Sequence, residues 1–140
     1  MNREANVAFV CLHGSAKSVI AAAHFRNLVC AFGKDIPTLA LGMEPDAAFP
    51  PDVIAGLQRD GVSPGASAPQ AISRDLLRSA SHVVSFGPDV SPFIPAGCEV
   101  IYWNGVPNVS HGYDAARTEI LARVARLVEH EIVEESGLVE

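Results

Sequence analysis

Apolar residues fall along this chain in two rhythms. The runs Val7-Ala8-Phe9-Val10-Cys11, Thr38-Leu39-Ala40-Leu41, His82-Val83-Val84-Ser85-Phe86 and residues 99–103 are short and rich in β-branched or aromatic residues, as buried strands are. Between them the apolar positions return at helical spacing. Val19, Ile20, Ala23, Val29 and Phe32 predict a helix over 16–32, with Gly33 as its stop signal, and a second helix covers 52–59. Ser73 is placed to cap a short helix through Arg78. A last helix over 113–134 carries Ile120, Leu121, Val124, Leu127, Val128 and Ile132 on one stripe, with Arg117, Arg123, Arg126 and Glu129 largely off it. Residues 42–51 and 61–69 read as loops, and the chain runs irregularly from 104 to 112.

Strands alternating with helical segments imply a doubly wound α/β domain, with a parallel sheet built by right-handed crossovers. Such sheets bind ligands beyond the carboxyl ends of their strands. Cys11 stands at one such end.

The 140 residues suit a single domain over 1–140, and 49% hydrophobic content suffices for one core without disulfides or metal. A formal charge of −6 and the absence of a Lys/Arg-rich run argue against nucleic acid or an anionic membrane surface as the main partner. The polar first six residues and the short apolar run after them do not form a signal sequence or a span, so the expected location is cytoplasmic. Cys11, Cys30 and Cys98 form no CxxC pair, and the five histidines show no pair at ligand spacing. Neither a metal nor another cofactor is expected.

Chemistry concentrates between the first strand and the first helix, in Cys11, Leu12, His13, Gly14, Ser15, Ala16, Lys17 and Ser18. A tight turn feeding a helix N-terminus aims several backbone N–H groups into one concavity, where the helix adds about half a positive charge. Gly14 supplies the positive φ that such a nest of amides needs, and small Ser15 and Ala16 let a ligand approach the backbone. The same field favours a thiolate at Cys11, to which Ser18 can donate a hydrogen bond. A cysteine at the end of a buried strand is otherwise a small core hydrophobe. His13 either contacts the ligand or Cys11, or faces outward as a loop histidine.

The first strand, the loop through Lys17-Ser18 and Ala21-Ala22-Ala23-His24-Phe25-Arg26 resemble the low-molecular-weight protein tyrosine phosphatases and their arsenate reductase relatives. The likeness continues through Leu41-Gly42-Met43-Glu44-Pro45, Val83-Val84-Ser85-Phe86-Gly87 and Tyr102-Trp103 to the final helix, nearly the whole chain. It implies a flavodoxin-like four-stranded parallel sheet with helices on both faces. It further implies Cys11 as nucleophile, the backbone of Leu12 to Ser18 as phosphate cradle and Ser18 as thiolate donor.

Two departures qualify the likeness. Lys17 stands where the family has its loop arginine, so the charge is kept while the planar, two-pronged clamp on phosphate is lost. Trp103-Asn104-Gly105-Val106-Pro107 lacks the Asp beside a Pro that serves the phosphatases as general acid. Asp89, His111 and Trp103 are the remaining candidates for the cleft, the first two as proton donors and the third as a wall. Asp114 is a further carboxylate near in sequence.

The expected activity is that of a weak or atypical phosphomonoesterase, with phosphate or a related oxyanion as ligand and a phosphotyrosine protein or small aryl phosphate as substrate. A catalytically impaired oxyanion or phosphoprotein-binding module is one alternative, and an arsenate reductase using an external thiol is another. Resolving cysteines after the third strand are missing, because that segment is Gly87-Pro88-Asp89-Val90-Ser91.

Overall fold

The computed structural model describes residues 6–133. Five strands, β1 Asn6–Cys11, β2 Thr38–Gly42, β3 Gln70–Ala71, β4 Ala80–Ser85 and β5 Glu99–Tyr102, form one sheet in the order β3-β2-β1-β4-β5. Every pairing is parallel. Three α-helices, α1 Lys17–Ala31, α2 Pro51–Arg59 and α3 Tyr113–Leu127, complete the frame.

β1 lies at the centre, and its pleat sends alternate side chains to opposite faces. Val7, Phe9 and Cys11 join the core that the sheet makes with Ile20 and Phe25 of α1, Val53 and Leu57 of α2, and Ile120 and Val124 of α3. Ala8 and Val10 join Leu41, Ile72, Leu77, Val83 and Val90 on the other face. Both faces of β1 are thus buried, which is why its sequence is an unbroken apolar run. Complete burial of a Phe, Val or Leu side chain is worth about 1.5–3 kcal/mol. Phe9 adds an edge contact to Phe25 and a tilted one to Trp103, with ring centroids 5.6 and 5.9 Å away.

Helical elements cover both faces, but unequally. The three α-helices share one core, whereas the second face is closed by turns over 74–79 and a single 3-10 turn, Ser91–Phe93. Here the expected helix from Ser73 to Arg78 is corrected. Ser73 does accept from the Leu76 amide through Oγ at 3.1 Å, as a cap does. Leu77, Arg78 and Ala80 then donate three residues back, to Arg74, Asp75 and Leu77, and β4 begins at Ala80 before α-helical bonding can propagate.

The sheet has five strands, one more than the family likeness implies. The addition is the two-residue β3, whose Gln70 and Ala71 pair with Leu41 and Gly42. Both residues are exposed, so no buried face marked this strand in the sequence. At its end α3 widens into a π-helical stretch, Val128–Val133. The expected terminus at Glu134 lies outside the described residues. Among those described, no helix is long and apolar enough to cross a membrane.

Candidate active site

The cradle begins where β1 leaves the sheet. After Cys11 the chain must turn through residues 12–16 into α1 at Lys17. Gly14 makes that possible with φ +62°, a conformation that costs a side-chain-bearing residue roughly 1 kcal/mol or more. A second constraint excludes a side chain at Gly14 altogether: a Cβ there would lie 2.7 Å from the Gly42 nitrogen, and one at Gly42 would lie 2.6 Å from the Gly14 nitrogen. Two glycines therefore let the loop lie backbone to backbone on the end of β2.

That contact is stitched by hydrogen bonds. Met43, Glu44 and Asp46 donate backbone N–H groups to the carbonyls of Cys11, Leu12 and His13 at 3.2, 2.7 and 3.1 Å. The carbonyls of the loop thus turn outward to residues 43–46. Its amides take no such partner: among the described residues, none of the N–H groups of 12–19 donates to a backbone carbonyl or a side chain. Because Ala16 at the N-cap offers α1 no side-chain acceptor, the first-turn amides remain available to a ligand.

Side chains hold the loop further. Ser15, only 3% exposed, donates to Asp46 Oδ2 at 2.7 Å. His13 Nδ1 lies 3.2 Å from the Glu44 carbonyl and 3.6 Å from Asp46 Oδ1. His13 is thus turned toward the 43–46 segment, not toward Cys11. Cys11 is 8% exposed and its Sγ lies 3.1 Å from Ser18 Oγ, the pair expected from sequence. The protonated thiol donates to the hydroxyl; in a thiolate the hydroxyl would donate instead.

Cys11, Leu12, His13, Ser15, Ala16 and Lys17 line one side of a cleft of about 610 Å³. Its remaining walls are Pro50 and Asp52 from the start of α2, Phe86 and Pro88 after β4, and Asn108, Val109 and Ser110 ahead of α3. Among the described residues Lys17 is its one fixed cation. The cleft is a stem of aliphatic and aromatic surface with an amide-rich end, suited to an anion carried on an apolar group.

Gly14 and Ser18, both buried behind the loop, are not part of this lining, and neither are Trp103, Asp89 and His111. Trp103, 9% exposed, packs into the core against Phe9 and Phe86, the latter with centroids 5.6 Å apart. It also borders a separate groove of about 440 Å³ with Arg123, Arg126 and His130. Asp89 accepts from the Ser91 amide at 3.0 Å, and this bond together with the Ser91 and Tyr102 hydroxyls holds its carboxyl below the usual range. His111 closes an exposed 3-10 turn, Val109–His111, of which Val109 and Ser110 reach the cleft. Asp114 lies 3.8 Å from Arg59 on the surface. Val106, which precedes Pro107, is itself buried.

Sequence reasoning left Asp52 as a helix start and Asn108 and Ser110 as part of an irregular segment. Their only signal was position, since loops after parallel strands and before helices share one end of the sheet.

No family model and no curated protein matches the sequence. Solved structures do match in fold. The thioredoxin-dependent arsenate reductase of Corynebacterium glutamicum superposes with a TM-score of 0.76 and 23% identity over 91% of this chain, which spans only 62% of that one. An arsenate reductase from Archaeoglobus fulgidus gives 0.69 and 26% over 89% of this chain and 99% of its own. The low-molecular-weight protein tyrosine phosphatase of T. tengcongensis gives 0.78 and 18% over 90% and 99%.

Proposed function

We propose that this chain, which in its fold belongs with the low-molecular-weight protein tyrosine phosphatases and arsenate reductases, binds phosphate-type oxyanions in the Cys11–Ser18 loop and hydrolyses phosphomonoesters slowly through a Cys11 thiolate. One observation supports the reading: the backbone N–H groups of 12–19 have no acceptor among the described residues, and they follow directly on a cysteine whose Sγ lies 3.1 Å from a buried hydroxyl. A tetrahedral oxyanion supplies the missing acceptors, and the helix start favours its charge.

In the first step the Cys11 sulfur attacks phosphorus, an S–P bond forms and the ester P–O bond breaks. The amides and the Lys17 ammonium stabilise charge on the equatorial oxygens, and Ser18 Oγ steadies the sulfur when it leaves again. Water then attacks the phosphocysteine, the S–P bond breaks, and phosphate departs as the thiolate is restored. Lys17 offers a point charge in place of a fork, which weakens transition-state more than ground-state binding. Residues 103–107 contain no carboxylate to protonate the leaving oxygen. Esters of acidic phenols, which leave unprotonated, are therefore the best substrates.

Arsenate reduction is the second reading, favoured by the two reductases with this fold. It needs an external thiol. Cys30 lies near the far end of α1, about 20 Å along the helix at 1.5 Å per residue, and Cys98 precedes β5 at the amino end of the sheet. Here Cys11 attacks arsenate with loss of water, and the external thiol attacks Cys11 sulfur. A disulfide forms as arsenic falls from the +5 to the +3 state, so the two electrons balance.

The test is turnover of 4-nitrophenyl phosphate by the wild type and Cys11→Ser, with vanadate affinity measured in parallel. Turnover lost in Cys11→Ser, with vanadate bound by the wild type, supports hydrolysis. Vanadate binding without turnover leaves a binding module, and failure to bind any tetrahedral oxyanion overturns the cradle. Arsenite produced only with added dithiol or thioredoxin selects the second reading.

A further inference from the structure

The two fixed charges in the cleft come from different elements and have opposite sign. Lys17 opens α1 beside the amides, whereas Asp52 stands in the first turn of α2, exposed on the facing wall. The remaining lining on the far side, Phe86, Pro88, Asn108, Val109 and Ser110, is uncharged.

Asp52 is held where it is by the burial of its neighbours. Pro50 and Pro51 restrict the backbone leading into α2, and Val53 and Leu57, both fully buried, seat the helix in the core. Gly56 fixes the helix's approach to α3, because a Cβ at that position would lie 2.1 Å from the Tyr113 ring. With that face pinned inward, Asp52 is left exposed and turned to the cleft.

We infer that Asp52 sets substrate choice: the cleft prefers a phosphomonoester whose apolar stem carries a cationic group, with the phosphoryl end on the amides and Lys17 and the cation toward Asp52. This rests on the oxyanion-binding reading above and names the substrate class within it. An exposed carboxylate contributes a screened attraction, so the preference is modest, about 2- to 5-fold at low salt, and fades as ionic strength rises. Anionic stems meet like charge and bind worst.

Three phenyl phosphates of similar size test it: 4-(2-aminoethyl)phenyl, 4-ethylphenyl and 4-(2-carboxyethyl)phenyl phosphate. Their charges sit two methylenes from the ring, so the phosphate end is chemically alike. Dissociation constants are measured on Cys11→Ser protein, which holds esters without turning them over, at low salt and in 0.5 M salt, on the order of fifty times more screening electrolyte than the low-salt arm. The expected order is ammonium tighter than neutral tighter than carboxylate, collapsing in high salt. Asp52→Glu in the Cys11→Ser background keeps that order and Asp52→Lys inverts it, a result that a purely helix-stabilising role of Asp52 would not produce. Equal affinity for the three esters, or the same order retained in Asp52→Lys, overturns the assignment while leaving the cradle intact. If none of the three binds, and neither does vanadate, the oxyanion reading itself fails.

Discussion

The molecule contains two polar clusters at opposite ends of α2, and they dispose of their hydrogen-bonding groups in opposite ways. Near the start of α2 the cradle leaves the amides of 12–19 without acceptors among the described residues. At its end, Asp60 accepts from Arg117 Nε at 2.7 Å and lies 3.2 Å from His24 Nε2, so one carboxylate ties α1, α2 and α3 together. A carboxylate at a helix C-terminus is opposed by the helix dipole, and the two partners compensate. Arg117 first, with His24, holds the Asp60 carboxyl below its usual range. The Asp60 cluster spends its groups on joining three helices, whereas the cradle leaves donors over, which is what the proposed oxyanion site requires.

Substitutions on each side should separate the two roles. Cys11→Ser is expected to lower turnover of aryl phosphates by about 10³-fold or more while leaving thermal stability nearly unchanged, because it removes the nucleophile and little volume. Asp60→Ala should do the reverse. Loss of a largely buried carboxylate with two partners is expected to cost about 2–3 kcal/mol, read from urea unfolding, with vanadate affinity of the remaining folded protein preserved. If Asp60→Ala instead abolished vanadate binding without destabilising the fold, the division between the clusters would be wrong.

A subtler change sharpens the cradle alone. Lys17→Arg restores a planar fork at the position where the lysine now supplies only charge, and kcat on 4-nitrophenyl phosphate is expected to rise about tenfold or more. Asn108→Asp places a carboxylate within the lining of the cleft. It should help most for esters of weakly acidic alcohols, where the leaving group needs a proton, with a gain of up to about 10². Equal gains on 4-nitrophenyl and alkyl phosphates would show that the introduced carboxylate acts by some route other than proton donation.

The contrast between the clusters also marks what could be read from the sequence. Cys11, Gly14, Lys17 and Ser18 are close in sequence, so strand, turn and helix start were visible together, and the Cys11–Ser18 pair could be foreseen. Asp46 reaches the loop from the next crossover, and Asp52 and Asn108 line the cleft from the start of α2 and from beyond β5; that these residues meet is tertiary information that no local pattern carries. Trp103 and His111 were adjacent in sequence to the segment that reaches the cleft, yet one turns into the core and the other stays on an exposed turn. The strand β3 lacked an apolar rhythm because its pairing is by backbone at an exposed edge. His24 lay inside an apolar helix face and gave no hint of a carboxylate thirty-six residues away.

Acidification offers the gentlest test of the closed cluster. Burial pushes the His24 imidazole below its ordinary value of 6.5, outweighing the attraction of Asp60, so the fold favours the neutral ring. The unfolded chain therefore takes up a proton first as pH drops below about 6.5, and stability is lost from there until the folded-state value is passed. Asp60 acts in the same direction at lower pH: its depressed value contributes stability that is complete above about 3.8 and disappears as pH falls through the folded-state value. Melting temperatures taken from pH 8 to about pH 2 should decline in the wild type below pH 6.5, at roughly one bound proton in the first part of the slope. In His24→Gln, which keeps a donor for Asp60 but cannot titrate, that first decline should flatten while the later one remains. A profile in His24→Gln that still fell between pH 6.5 and 5, by about the wild-type amount, would move the acid-sensitive group away from this cluster.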